Sequence, residues 1–201
     1  MKIAVLAWGS LVWDNGVLAI AEKFEPIGPR LPVEFCRVSG DRRLTLVIDE
    51  NVGTACATHA APSAFDQLDS ALENLWIREG REGERLPRDI QEHGRVGFVD
   101  RISRQASTKA IERHPRAVKS IDTWIVANGY AAAIWTALAS NFGDRTGEPF
   151  SVEAAIRYLE ARDAPTLDRA LAYIRQAPVE VQTPLRAAVT ARWPEGSTEV
   201  C

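Results

Sequence analysis

The sequence predicts an α+β fold, and three observations carry that prediction. An apolar run at the start breaks into a Gly-Ser turn, a Gly-Asp turn is flanked by alternating β-branched segments, and amphipathic helical patterns fill the chain from residue 149 onward. With 201 residues, 46% hydrophobic and 25% charged, the chain buries one sizeable core. The expected organisation is a main domain over residues 1–145, with a helical extension over 146–201 packed on it.

Ile3 to Trp8 reads as a buried first strand, and Gly9-Ser10-Leu11 as the turn that ends it. Glycine tolerates conformations in which successive backbone N–H groups converge, and such a turn builds an anion or oxyanion pocket. An ordinary strand-ending turn is the other reading of the same residues. Leu31 to Val38 and Arg43 to Ile48 flank Ser39-Gly40-Asp41-Arg42 and form an antiparallel hairpin. A strand of small residues follows, from about Gly53 to His59.

Pro62-Ser63 opens the clearest helix: Ser63 and Asp66 resemble a capping box, and Phe65, Leu68, Leu72, Leu75 and Trp76 recur at helical spacing. Gly80 ends it. Glu79 therefore sits at the negative end of the helix dipole, where a carboxylate is easier to protonate than usual. Residues 78–95 hold almost no apolar side chains, and read either as a lid beside Glu79 or as a solvated charge run.

Val96 to Asp100 returns to strand, and a polar stretch spans 101–119. Ile121 to Val126 then reads as strand, followed by the Asn128-Gly129 turn signal and by Ala131 to Leu138, whose alanines leave it open between strand and helix. Ser151, Thr166 and Thr183 are N-cap candidates for helices over 152–162, 167–176 and 184–193, the last with Pro184 at the favoured first position.

A net charge of -3 gives no global basic face, which argues against nucleic acid and anionic membrane as main partners. No run approaches the roughly 18 apolar residues of a membrane span. The start of the chain imitates a secretory leader, but Trp8-Gly9-Ser10 and Asp14-Asn15-Gly16 interrupt it, so a cytoplasmic location is expected. Cys36, Cys56 and Cys201 are scattered and read as free thiols. His59, His93 and His114 lack metal-ligand spacing, so no metal is expected. Ser10 lacks the G-x-S-x-G elbow of a serine nucleophile, and the absence of a dinucleotide or P-loop fingerprint leaves no cofactor expected. Trp8, Trp13, Trp76, Trp124 and Trp135 read mainly as core, with Trp8 placed to line a pocket.

An N-terminal strand running into Trp8-Gly9-Ser10-Leu11, a strand hairpin, and a helix ending in Arg78-Glu79-Gly80 together resemble the γ-glutamylcyclotransferase-like family over roughly the first 140 residues. The resemblance is specific at Trp8-Gly9-Ser10-Leu11 and at Glu79-Gly80. It implies a small mixed β-barrel with flanking helices, the helical tail being an addition. It also implies that Trp8, Gly9, Ser10 and Leu11 bind a small γ-glutamyl substrate, with Glu79 as general acid–base and no metal or cofactor. The family's first motif begins with tyrosine, and Trp8 takes its place here. Arg37 on the hairpin and Arg78 beside Glu79 are candidates to neutralise a substrate carboxylate, or are surface charges. A non-catalytic ligand-binding or protein-interaction module on the same fold is the alternative.

Overall fold

The structure, a computed structural model, describes residues 1–80 and 90–194. A five-stranded sheet forms the centre, in the order β5-β1-β8-β6-β7. Its strands are β1 (Ile3–Ala7), β5 (His59–Pro62), β6 (Val96–Asp100), β7 (Gln105–Ala106) and β8 (Ala132–Thr136). A three-stranded sheet, in the order β3-β2-β4, joins β2 (Leu31–Val38), β3 (Leu44–Ile48) and β4 (Thr54–Cys56). The described strands thus pair as two sheets within a mixed α+β architecture.

β1 lies between β5 and β8, and every one of its residues is buried. Because side chains alternate across a strand, its residues divide between two cores. Ile3, Val5 and Ala7 face a layer that contains Leu72, Leu75 and Trp76 of helix α1 (Leu68–Arg78), whereas Ala4, Leu6 and Trp8 face the second sheet and the C-terminal helices. Gly97 on β6 stands opposite Trp135 on β8, and a Cβ there would lie 2.5 Å from the indole ring. Glycine is required at that position so that the tryptophan can lie flat over the strand.

The tail consists of α6 (Val152–Glu160), α7 (Ala164–Gln176) and α8 (Pro184–Arg192). Ala154, Leu159, Ile174 and Leu185 share one core with Phe35 and Leu46 of the three-stranded sheet. A buried carboxylate reinforces this packing. Glu34 on β2 is 0% exposed and accepts hydrogen bonds from Thr183 Oγ1 (2.7 Å), the Phe35 amide (2.6 Å) and the Leu185 amide (3.4 Å), so it lies at the N-terminus of α8. Helix amides at that end have no partner within the helix, and an anion is favoured there.

Several sequence expectations are corrected. The segment 121–126, expected as a strand, lies in helix α4 (Pro115–Ala127), whose apolar positions Val118, Ile121 and Ile125 follow helical spacing and are buried. The polar stretch 101–119 holds β7, helix α3 (Thr108–Arg113) and the start of α4. Gly129, in the left-handed conformation (φ +68), therefore joins a helix to β8 rather than two strands. The single strand expected from Gly53 to His59 is split into β4 and β5. Helix α1 starts five residues later than its capping-box signal, because Pro62 and Ser63 are held by sheet contacts to β1 and Ile20, and Ser63 Oγ accepts from the Phe65 amide in a local turn. In α7 the N-cap is Asp163, whose side chain accepts from the Thr166 amide. Ser151 and Thr183 cap α6 and α8 as expected.

Candidate active site

Parallel pairing of β1 with β8 brings the C-terminal ends of the two strands to the same edge of the sheet. Chain segments leaving that edge face one another, a common place for a ligand crevice. From β1 emerge Trp8 and Gly9, then a short 3-10 turn over Ser10–Val12; at the end of β8 stands Thr136. Helix α1 packs on β8 and stops at the same edge, with Glu79 as its C-cap and Gly80 left-handed (φ +79). The Gly80 conformation is one that a side chain resists, so the chain turns away just past the carboxylate.

A cavity of about 360 Å³ opens between these segments. Trp8, Gly9, Ser10, Leu11, Arg37 and Glu79 all line it, as does Arg78. Every site residue expected from the sequence therefore meets in one place, although Gly9 and Glu79 are seventy residues apart in the chain. Their roles are unequal. Trp8 is only 4% exposed and belongs chiefly to the core behind the cavity, which it lines without filling. Arg78 is tied to the main-chain carbonyls of Asn15 (3.0 Å) and Asp14 (2.6 Å), and Arg37 to that of Ala139 (2.6 Å).

Glu79 is half-buried and accepts a hydrogen bond from Thr136 Oγ1 (3.1 Å). Burial pushes its carboxyl above the usual carboxylate range, against the opposing influence of the Thr136 hydroxyl and of Arg78, Arg95 and Arg37. The direction matches the sequence reading, but desolvation is the leading cause. Arg95 donates to the Glu79 main-chain carbonyl (3.3 Å), a cation at the end of the helix where the last carbonyls need donors.

Among the polar groups of this cavity that the sequence did not single out are Thr136, Arg95, Tyr173, Arg43 and Arg145. Tyr173 comes from α7 in the tail, and its hydroxyl would lie 3.1 Å from a Cβ placed on Gly9. Burial raises its pKa, while the neighbouring Leu46 and Ser10 and the Arg43 cation act in the other direction. Glycine at position 9 leaves room for the Tyr173 hydroxyl beside the loop. A phenol thus stands beside the loop, supplied by the C-terminal helices. No signal local to residues 1–145 announces it, because its partner is 163 residues away.

The histidines do not converge. His59 faces Glu180 (3.7 Å), His93 stands edge-on to Trp76, and His114 is buried where α3 meets α4. Cys36 and Cys56 are buried free thiols, that of Cys36 pushed up to about 12 by burial. Among the described residues no helix is long and apolar enough to cross a membrane. Of residues 78–95, expected as a lid or a solvated charge run, Arg78 belongs to α1 and Glu79 caps it, 81–89 lie outside the described residues, and Ile90–His93 form a short helix, α2. Compared with models of known protein families, with curated proteins and with solved structures, the chain finds no match.

Proposed function

We propose that this protein is a cytoplasmic enzyme of γ-glutamylcyclotransferase type, releasing 5-oxoproline from a γ-glutamyl amide or peptide by intramolecular aminolysis. The observation that carries the reading is the convergence of Glu79 and the Trp8–Leu11 segment on one cavity of about 360 Å³. On this reading the two sheets are walls of the small mixed β-barrel of that family.

The substrate's α-amine attacks its own γ-carbonyl carbon. A C–N bond forms, the original amide C–N bond breaks, and a free amine leaves as the five-membered ring closes; no water is consumed. An α-amino group has a pKa near 8 and is mostly protonated at neutral pH, so a base must relieve the attacking nitrogen of its proton. Glu79 takes a proton from the attacking nitrogen and returns it to the departing one; the second proton that the ammonium loses on becoming the ring N–H passes through solvent to the freed amine, which ends as an ammonium group. A carboxyl made less acidic by burial suits both halves of the task, because catalytic efficiency peaks when the pKa approaches the working pH. The Thr136 hydroxyl holds one carboxyl oxygen and aims the group.

Donors for the tetrahedral oxyanion come from the main chain of the Trp8–Leu11 segment and from Tyr173. The Tyr173 phenol, kept protonated by burial, has its O–H to donate. A single donor of this kind is worth roughly 3 kcal/mol in other enzymes. Holding the γ-glutamyl chain bent so that its ends meet is the other large contribution.

The test is mass-spectrometric detection of 5-oxoproline from γ-glutamyl amino acids, γ-glutamyl amines and glutathione, with wild type and Glu79→Gln. Release by wild type alone supports the reaction and its acid–base together. No release from any substrate overturns it and leaves a non-catalytic binding module as the reading of the cavity.

A further inference from the structure

A second cavity, of about 510 Å³, adjoins the first. It lies between the turn that joins β2 to β3, helix α5 (Phe142–Thr146) and helix α6. Val38, Ser39, Gly40 and Arg145 line both cavities, so the tip of the turn and one arginine are their common wall. Gly40 presents no side chain there, and a Cβ on it would meet nothing within 4 Å.

We propose that this second cavity is an anion subsite, and that the preferred substrates are γ-glutamyl compounds whose departing amine carries a carboxylate, such as an acidic amino acid, held by Arg145. The proposal rests on the cyclotransferase reading above for its account of what occupies the first cavity.

The charge balance of the walls supports it. Arg37, Arg43, Arg78, Arg95 and Arg145 line the first cavity, where Glu79 is the carboxylate among the described lining residues. Arg42, Arg145, Arg157 and Arg162 line the second, with Glu148. Most of these cations are already engaged. Arg43 pairs with Asp41 (2.6 Å) and Arg157 with Glu148 (2.7 Å), while Arg162 bonds the Tyr158 carbonyl and covers its ring. Arg42 and Arg145 differ: neither exposed side chain has a hydrogen bond or ion pair among the described residues, and of the two only Arg145 lines both cavities. Burial is the main influence against the Arg37 charge, and Arg95, Arg113 and Arg145 add to it.

Like charges gathered around a concave wall repel one another, and an anion bound between them relieves the repulsion while gaining charge-assisted hydrogen bonds. Guanidinium is the group best shaped to grip a carboxylate with two parallel bonds. Geometry assigns the carboxylate to the departing side. The γ-carbonyl must lie between Glu79 and the Trp8–Leu11 segment, so the rest of the amide has to continue outward, and the shared wall at Gly40 and Arg145 offers it a route.

The experiment compares γ-glutamyl-glutamate with γ-glutamyl-butylamine. Binding to Glu79→Gln, which retains the arginines, is measured by calorimetry, and kcat/KM by 5-oxoproline release from wild type. A preference of tenfold or more for γ-glutamyl-glutamate is expected in either measurement, falling toward one with Arg145→Gln and reversing with Arg145→Glu. Equal affinity for the two compounds, or a preference that survives both Arg145 variants, overturns the subsite. If γ-glutamyl-glutamate binds preferentially through Arg145 yet no 5-oxoproline is released, the anion subsite stands and the cyclotransferase reaction falls. If both compounds are turned over at equal efficiency, the reaction stands and the subsite falls.

Discussion

Glu34 and Glu79 are both carboxylates withdrawn from water, and burial raises the pKa of each. Their surroundings differ in what is left over. Glu34 has its two oxygens filled by a hydroxyl and two amides, lies against the N-terminus of α8, and faces packed side chains. Glu79 receives one described side-chain hydrogen bond, from Thr136, and faces a cavity with arginines around it. A buried acid whose acceptor sites are all occupied holds a structure together, whereas one with an open acceptor and space beside it can exchange a proton with a ligand. The comparison separates the two roles before any substrate is known.

The largest effect that would break the comparison is on turnover. Glu79→Gln is expected to lower kcat for 5-oxoproline release by about 10²- to 10⁴-fold, the usual range for a positioned acid–base group. Its melting temperature should stay within about 2 °C of wild type, because no packed partner loses its hydrogen bond. A variant with full activity would refute the assignment. One that melts far lower would place Glu79 beside Glu34 as a structural acid.

Glu34→Ala should do the reverse, destabilising the fold while changing activity little per folded molecule. Thr183 and the Leu185 amide lose their acceptor, and each buried donor left unpaired costs about 1–3 kcal/mol. Urea unfolding monitored by circular dichroism gives the value, and a loss below 0.5 kcal/mol, a threshold of the order seen for surface changes, would show the contact to be incidental. The pH dependence gives a finer test. The folded pKa of Glu34 lies above its unfolded value near 4.5, so its stabilising contribution is complete below that pH and declines as pH rises through the folded pKa. Glu34→Gln does not titrate and should remove that decline; a stability profile unchanged between acid and neutral pH would contradict the shift.

Smaller changes test the surroundings of Glu79. Tyr173→Phe removes a buried hydroxyl beside Ser10 and Leu46 and should cost about 1 kcal/mol of stability. If the phenol also serves the oxyanion, kcat should fall with KM nearly constant, which a purely structural role would leave unmoved. Thr136→Val has the smallest expected effect. It deletes a hydrogen bond that favours the Glu79 carboxylate, so the Glu79 pKa rises further and the acid limb of the kcat/KM profile moves to higher pH. An acid limb that stays in place, or moves down, would show that another group sets it.

Much of this molecule was legible in its residues. The buried run Ile3 to Ala7, the hairpin around Ser39-Gly40, the Gly80 stop and the Ser151 and Thr183 caps each depend on chemistry local to a few positions, so they could be read without the fold. The errors arose where distant contacts overrode local preference. Ser63 looks like an N-cap, yet sheet contacts to Ile3 and Ile20 keep it extended. Ile121 to Val126 is β-branched enough to resemble a strand, yet its buried positions lie on one helical face against the core.

The same division runs through the site. That Glu79 ends a helix and that Gly9-Ser10 ends a strand are properties of short segments, which is why both were visible as candidates. What only the tertiary structure decided is that they face each other, that Tyr173 reaches Ser10 from the far end of the chain, and that Arg145 stands in the wall of two cavities. Those relations depend on the parallel pairing of β1 with β8 and on a tail anchored by Glu34, contacts between residues more than a hundred positions apart. Local propensity carries no record of such pairs, because their free energy exists only once the chain has brought them together.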